Sequence, residues 1–248
     1  MTSRALKGVF RSLRLYQGPD APRAQMDALY ARFVGAGDLA FDIGAHVGDR
    51  VSSFRRLGAR VVALEPQPLA MRALRLIHGQ DDGVKLIPAA AAARSGSLQL
   101  KINTANPTIS TASAHFIAEA DGATGWEGQV WDDEITVPAV TLDDLIVQMG
   151  RPSFIKIDVE GFEDEVLAGL TQPVAALSFE FTTIARDVAL RGLARLSALG
   201  EYRYDVAMGE TQVLNFEKPL KGDDMAHFLK TLPHSANSGD IYACLVKV

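Results

Sequence analysis

The chain has 248 residues, 48% of them hydrophobic and 22% charged, a balance that fits one large α/β domain or two small ones. A formal net charge of −5 argues against broad nucleic-acid binding, which needs a concentrated basic surface for phosphate contacts. The single cysteine, Cys244, excludes an internal disulfide framework and fits a reducing, cytoplasmic setting, and no apolar run approaches the roughly 20 residues that span a bilayer.

The first segment, MTSRALKGVFRSLRLYQG, has neither an uninterrupted apolar region nor a small-residue cleavage site, so secretion is not expected. Helical spacing puts Leu6, Val9, Phe10 and Leu13 on one face and Arg4, Lys7, Arg11 and Arg14 elsewhere. That pattern predicts a helix packed on the domain, with contact to a membrane surface as the alternative. Residues 1–36 therefore read as an N-terminal helical extension and residues 37–248 as one domain.

From residue 39 strands and helices alternate, the pattern of a parallel sheet with helices on both faces. LAFDIG is a strand ending in glycine, followed by a helix that Gly58 closes. RVVALE is the next strand, Pro68 opens a second helix, and VKLIPAAA reads as a third strand. SLQLKIN alternates like another. Residues 103–127 lose periodicity and predict a long loop whose hydroxyls, with Trp126 and Trp131, either orient a sugar or simply anchor a solvated segment. TLDDLIVQMG is a helix capped by Thr141, SFIKIDV a strand, FEDEVLAGL a helix and AALSFEF a strand. A further helix carries Val188, Leu193 and Leu196, and YRYDVAM, QVLNF and DIYACLVKV complete the sheet.

Where the first strand turns into its helix, Gly44 and Gly48 remove side chains at the place a ligand approaches the backbone and the helix N-terminus. Glu65, at the end of the next strand, can accept hydrogen bonds from ribose hydroxyls. Asp42 lies two residues before the first glycine, where it repels a pyrophosphate but suits the cationic methionine end of S-adenosylmethionine. GAHVG also departs from the glycine fingerprint of NAD sites.

Residues 154–165, FIKIDVEGFEDE, interrupt an inner strand with Lys156, Asp158 and Glu160 at every second position. Asp158 and Glu160 stand where ligands of open α/β sheets bind, and are the leading general-base candidates, with Glu180 and His115 weaker ones. The structural alternative is that Lys156 and Asp158 only pair with each other. Glu163 and Glu165 fit the dipole of the following helix. With no His or Cys cluster beside these acids, no metal is expected.

FDIGAHVGD, VVALEPQP, VPAVTLDDL and IKIDVEGFEDEVLAGL stand in the order and spacing of the FkbM-type methyltransferases, and the chain resembles that family over roughly residues 38–181. The resemblance implies a class I, Rossmann-like methyltransferase fold with a mostly parallel seven-stranded sheet. It implies S-adenosylmethionine as cofactor and O-methylation of a hydroxylated small molecule, often a sugar, glycolipid or secondary metabolite. Carried over by motif, Asp42, Gly44, Ala45 and Gly48 hold the methionine portion, Glu65 the ribose, with Pro66 after it, and Ala90 or Ala91 lies near the adenine. Asp158, Glu160, Gly161 and Glu163 match the DVEGxE motif. His46 departs from the family, which more often has asparagine there, so it is either a site residue or a turn residue. Two other readings stay open: an NAD-dependent oxidoreductase and a non-catalytic S-adenosylmethionine-binding scaffold.

Overall fold

The computed structural model of the protein describes residues 3–19 and 21–247. Two helices come first, α1 (Ser3–Tyr16) and α2 (Arg23–Tyr30). Then β1 (Leu39–Ile43), α3 (Asp49–Arg56), β2 (Arg60–Leu64), α4 (Pro68–His78) and β3 (Val84–Ile87) follow the alternation that the sequence predicts. The stretch expected as one third strand is divided at Pro88, and its second half, β4 (Ala90–Ala91), belongs to another sheet. Proline has no N–H for a ladder, which is where the strand breaks. β5 (Gly96–Ile102) matches SLQLKIN.

The expected long loop is partly ordered. It holds a 3-10 turn at Pro107–Ile109 and α5 (Ala114–Ala120), whose N-cap Ser113 accepts from the Phe116 amide. β6 (Asp133–Val140) was not foreseen; it pairs with β4 and β5 in a small three-stranded sheet. α6 (Leu142–Met149), β7 (Phe154–Ile157), α7 (Glu163–Ala168), β8 (Ala176–Thr182), α8 (Arg186–Leu199) and β9 (Glu201–Met208) come next. QVLNF makes only an isolated bridge, Ala207 with Leu214, and is followed by an unforeseen helix, α9 (Gly222–Thr231). β10 (Ser238–Lys247) ends the described chain.

The main sheet has seven strands in the order β3-β2-β1-β7-β8-β10-β9. All neighbours run parallel except β10, which is antiparallel to both β8 and β9. One face carries Leu39, Phe41, Ile43, Ile155, Ile157, Leu177 and Phe179 against residues of α6, α7, α8 and α9. The other buries Ala40, Val61 and Phe154 against Tyr30 of α2, Phe54 of α3 and Leu74 of α4. Burying each such large side chain stabilises by about 1.5–3 kcal/mol.

This second face turns polar toward the carboxyl ends of the strands. Asp42, Lys156, Ser178 and Tyr242 form one cross-strand row by register, and Asp240 pairs with Glu180. Side chains two apart share a face of a strand, which puts Lys156 beside Asp42, and just past the strand end Asp158 and Glu160 line the same cavity. α1 packs on the domain through Val9, with Leu13 and Tyr16, against Val47 and Ala73. Phe10, expected on that apolar face, is instead 67% exposed.

Candidate active site

A cavity opens at the carboxyl ends of β1, β2 and β7, where ligands of open α/β sheets bind. It is lined by Asp42, Gly44, Ala45, His46, Glu65, Pro66, Ala90, Ala91, Asp158 and Glu160. Of the residues expected to hold the cofactor, only Gly48 is absent from the lining.

Each of the two glycines answers a packing constraint. A Cβ on Gly44 would stand 1.8 Å from the Asp158 carbonyl oxygen, and its φ is +86°. The missing side chain therefore lets the ends of β1 and β7 touch, and any room for a ligand follows from that. A Cβ on Gly48, at φ +81°, would lie 2.6 Å from Leu74 Cδ2, so Gly48 serves helix packing behind the cavity.

Glu65 is 2% exposed and accepts from two backbone amides, His46 N at 2.8 Å and Gln67 N at 2.7 Å. Burial pushes its carboxyl up to about 8, against those two hydrogen bonds. His46 adopts φ +45°, so it is a turn residue, and its ring also lines the cavity with Nε2 buried and unpartnered. Burial lowers the imidazole to about 4, which keeps it neutral. Asp42 is 2% exposed, its Oδ2 has no hydrogen-bond partner, and burial, with the Asp49 charge adding, pushes it up to about 7.

Lys156 and Asp158 do pair, and Asp158 faces the cavity as well. Lys156 is fully buried and its Nζ lies 3.1 Å from Asp158 Oδ2 and 2.8 Å from Asp240 Oδ1. Asp158 is nevertheless part of the cavity wall. Burial pushes its carboxyl up, but the Lys156 and Arg50 charges, with a hydrogen bond to Glu180, outweigh burial and hold it below the ordinary carboxylate range. Glu160 and Glu180 are raised well above that range, first by burial and then by the charge of Asp158. One oxygen from each of Asp158, Glu160 and Glu180 lies within 4.8 Å of the others, a spacing that could also hold a divalent cation. Glu163 lies outside the lining. Its Oε1 accepts from Val159 N and Gly161 N, so it orders the turn on which Glu160 sits at φ +58°.

Several expectations fail here. His115 is exposed and contacts Asp187 and Glu119 outside the cavity, so it is no base candidate. Trp126 and Trp131 pack edge-on against Phe116, and Trp131 Nε1 donates to Ile109 O, so neither ring lines the cavity. From the same loop, Thr108 and Ser110 do line it. Sequence reasoning also missed Tyr16, Arg50 and Glu210. Arg50 pairs with Asp49 and lies 3.1 Å from Glu210, which fixes the rim opposite Asp158. A charged residue just after the glycine turn was the available signal for Arg50. Tyr16 and Glu210 arrive from distant segments and carried none.

The chain is 24% identical over 161 residues to the hexuronic acid methyltransferase AglP of Haloferax volcanii, a match over 64% of this chain and 61% of that relative, so it spans less than two thirds of the relative's length. Among solved structures it is similar to a precorrin-6Y C5,15-methyltransferase from Geobacter metallireducens GS-15, at 16% identity and TM-score 0.46 over 90% of this chain and 86% of that one. It is similar too to Aeropyrum pernix fibrillarin in complex with S-adenosyl-L-methionine, at 12% identity and TM-score 0.46 over 85% and 68%. Residues 42–195, from the buried Asp42 through the carboxyl cluster into α8, match the methyltransferase FkbM domain, and the chain belongs to that family.

Proposed function

We propose that this chain is an S-adenosylmethionine-dependent O-methyltransferase acting on a hydroxyl of a small molecule, a sugar, glycolipid or secondary metabolite. The observation that supports it is one cavity joining two chemistries: the Asp42, His46 and Glu65 rim, and the Asp158, Glu160 and Glu180 carboxyl set. The rim fits the cofactor. Asp42 offers a buried, unpartnered Oδ2 to a cationic group, and each Glu65 oxygen keeps a lone pair beyond its backbone amide for a ribose hydroxyl. Ala45, Ala90 and Ala91 present small walls that leave room for a base.

When bound, S-adenosylmethionine supplies a methyl group already activated for in-line displacement, so positioning contributes up to about 7–11 kcal/mol. The protein must also take a proton from the acceptor. Asp158, kept ionised by Lys156, accepts the hydrogen bond of the acceptor hydroxyl, and Glu160 holds it from the adjacent turn. With the cofactor bound, the C–O bond would form as the methyl C–S bond breaks and S-adenosylhomocysteine leaves, and the hydroxyl proton would pass to the carboxyl set, whose titration belongs to the group and not to one residue. The cations of this half, Lys156 and Arg50, are already paired. A neutral polyhydroxylated acceptor therefore suits these carboxyls better than an anionic one.

Calorimetry with S-adenosylmethionine, S-adenosylhomocysteine and NAD tests the cofactor: tight NAD binding without response to the other two rejects the reading. Labelled-methyl transfer to hydroxylated acceptors tests the chemistry. Asp158→Asn and Glu160→Gln are expected to lose on the order of 10²–10⁴-fold in turnover while still binding S-adenosylhomocysteine. Normal turnover by both variants would remove these residues from the proton transfer.

A further inference from the structure

α1 and α4 lie side by side, joined by the contact of Val9 and Leu13 with Ala73 and Leu69. Neither helix contains an acid: SRALKGVFRSLRLY carries Arg4, Lys7, Arg11 and Arg14, and PLAMRALRLIH carries Arg72 and Arg75. This stands against a chain of net charge −5. The exposed large apolar side chains concentrate here as well. Among the described residues, Phe10 is 67% exposed, Leu15 62%, Leu76 88% and Ile77 43%, and every other large apolar side chain that is exposed is a valine.

On α1 the two sets share one arc. At 100° per residue, Phe10, Arg14, Lys7, Arg11, Arg4 and Leu15 follow one another around the outer side, while Gly8, Val9 and Ser12 are buried on the inner side. Arg4 is partly committed to Asp132 at 3.5 Å, and Arg11 donates to the Ala105 carbonyl. Lys7 and Arg14 are exposed between the two apolar side chains.

We propose that this outer face of α1, with the adjoining exposed end of α4, docks on an anionic phospholipid surface. Acidic headgroups attract clustered Lys and Arg, and the headgroup boundary accepts aromatic and leucine side chains that water does not. A nucleic acid would satisfy the bases alone and leave Phe10, Leu15, Leu76 and Ile77 in water. Charge and apolar exposure together select the lipid. α1 reaches the site from its opposite, inner side: Tyr16, its last residue, lines the cavity, and Gly8 packs so closely on Pro107 that a Cβ would fall 2.5 Å from its Cδ. The proposal stands apart from the proposed chemistry, because it is read by binding and without turnover.

The test is co-sedimentation of the full chain with vesicles of phosphatidylcholine alone and of phosphatidylcholine mixed with phosphatidylglycerol. Binding is expected to the mixed vesicles only, and to be released by raised salt. Lys7→Glu with Arg14→Glu is expected to weaken it at least ~10-fold, and Phe10→Ser with Leu76→Ser several-fold. The control pair Lys218→Glu with Lys230→Glu makes the same charge change near β9, at the sheet edge opposite β3, and should bind like wild type. An unchanged thermal transition shows that each variant is folded. Should one not fold, the lipid and salt dependence of the wild type and the remaining variants still decide. No preference for phosphatidylglycerol, or equal loss in the control pair, overturns the proposal. So does binding that ignores Phe10→Ser with Leu76→Ser and is fully competed by single-stranded RNA, which marks a general polyanion surface.

Discussion

Lys156 holds Asp158: the ammonium, with no exposed surface, lies 3.1 Å from Oδ2 of a carboxylate that faces the cavity. It also lies 2.8 Å from Asp240 Oδ1, so one buried cation balances two acids, one just past the end of β7 and one in β10. The pair couples the sheet's interior to the site. Its net worth against a well-packed apolar core can be near zero, but removing one partner leaves uncompensated charge.

Lys156→Met should therefore cost about 3–5 kcal/mol of stability, read as a lowered denaturation midpoint at unchanged slope. It should also move the acid limb of the pH–activity profile upward, because Asp158 loses the charge that holds its carboxyl low. A variant of wild-type stability, or one with an unmoved acid limb, would show that the ammonium does not govern Asp158.

Three buried acids make the protein's own stability depend on pH. Burial raises Asp42 from 3.8 to about 7, Glu65 from 4.5 to about 8 and Glu163 from 4.5 to about 7. Between the unfolded and folded values the folded chain binds more protons, so their contribution is complete below about pH 4 and is lost as pH rises through about 7 to 8. Asp158, lowered in the fold, works in the opposite sense at the acid end. The ligand-free protein is expected to lose stability from pH 5 to pH 8, with Asp42 contributing up to about 3 kcal/mol over the roughly 2 pH units between pH 5 and its raised value of about 7. Asp42→Asn should flatten that slope. Equal slopes in wild type and variant, followed by denaturant unfolding, would contradict the burial of a protonated Asp42.

The reading of residues 154–165 as a strand with an active end rested on side-chain period, and period two is enough to put Lys156 and Asp158 on one face. Pairing partners across the sheet were not readable, which is why Asp240 was missing from the account. The same gap hid Tyr16 and Glu210, whose local patterns are those of a helix end and a turn. Gly44 was legible as a necessary glycine, but its nearest constraint, the Asp158 carbonyl, lies more than 100 residues along the chain and shows only in the fold. Trp126 and Trp131 take the anchoring alternative, and the sequence leaves the choice open because Phe116, their packing partner, sits on a short helix inside a stretch without periodicity.

The carboxyl set can be questioned directly. A divalent cation requires ionised oxygens, yet burial and the neighbouring charges disfavour the ionised forms of Glu160 and Glu180, while Lys156 already occupies Asp158 Oδ2. Methyl transfer is therefore expected to survive exhaustive treatment with EDTA within about 2-fold. A large loss restored by magnesium and abolished by Glu180→Gln would instead assign an ion to these three residues.

His46 separates backbone from side chain at the cavity rim. Its amide donates to Glu65 at 2.8 Å whatever the side chain, and its φ of +45° is a conformation that asparagine tolerates better than most residues. The ring is neutral, its Nε2 is unpartnered, and its one aromatic contact is edge-on to Tyr16 at 6.3 Å. His46→Asn should thus keep stability within about 0.5 kcal/mol and S-adenosylhomocysteine affinity within about 3-fold. His46→Val, β-branched at a positive φ, should cost about 1–2 kcal/mol and weaken binding by disturbing the amide that orders Glu65. If the asparagine variant folds normally but binds at least ~10-fold more weakly, a loss of about 1.4 kcal/mol, then the imidazole itself makes the contact. His46 would then be a binding residue in its own right, beyond its place in the turn.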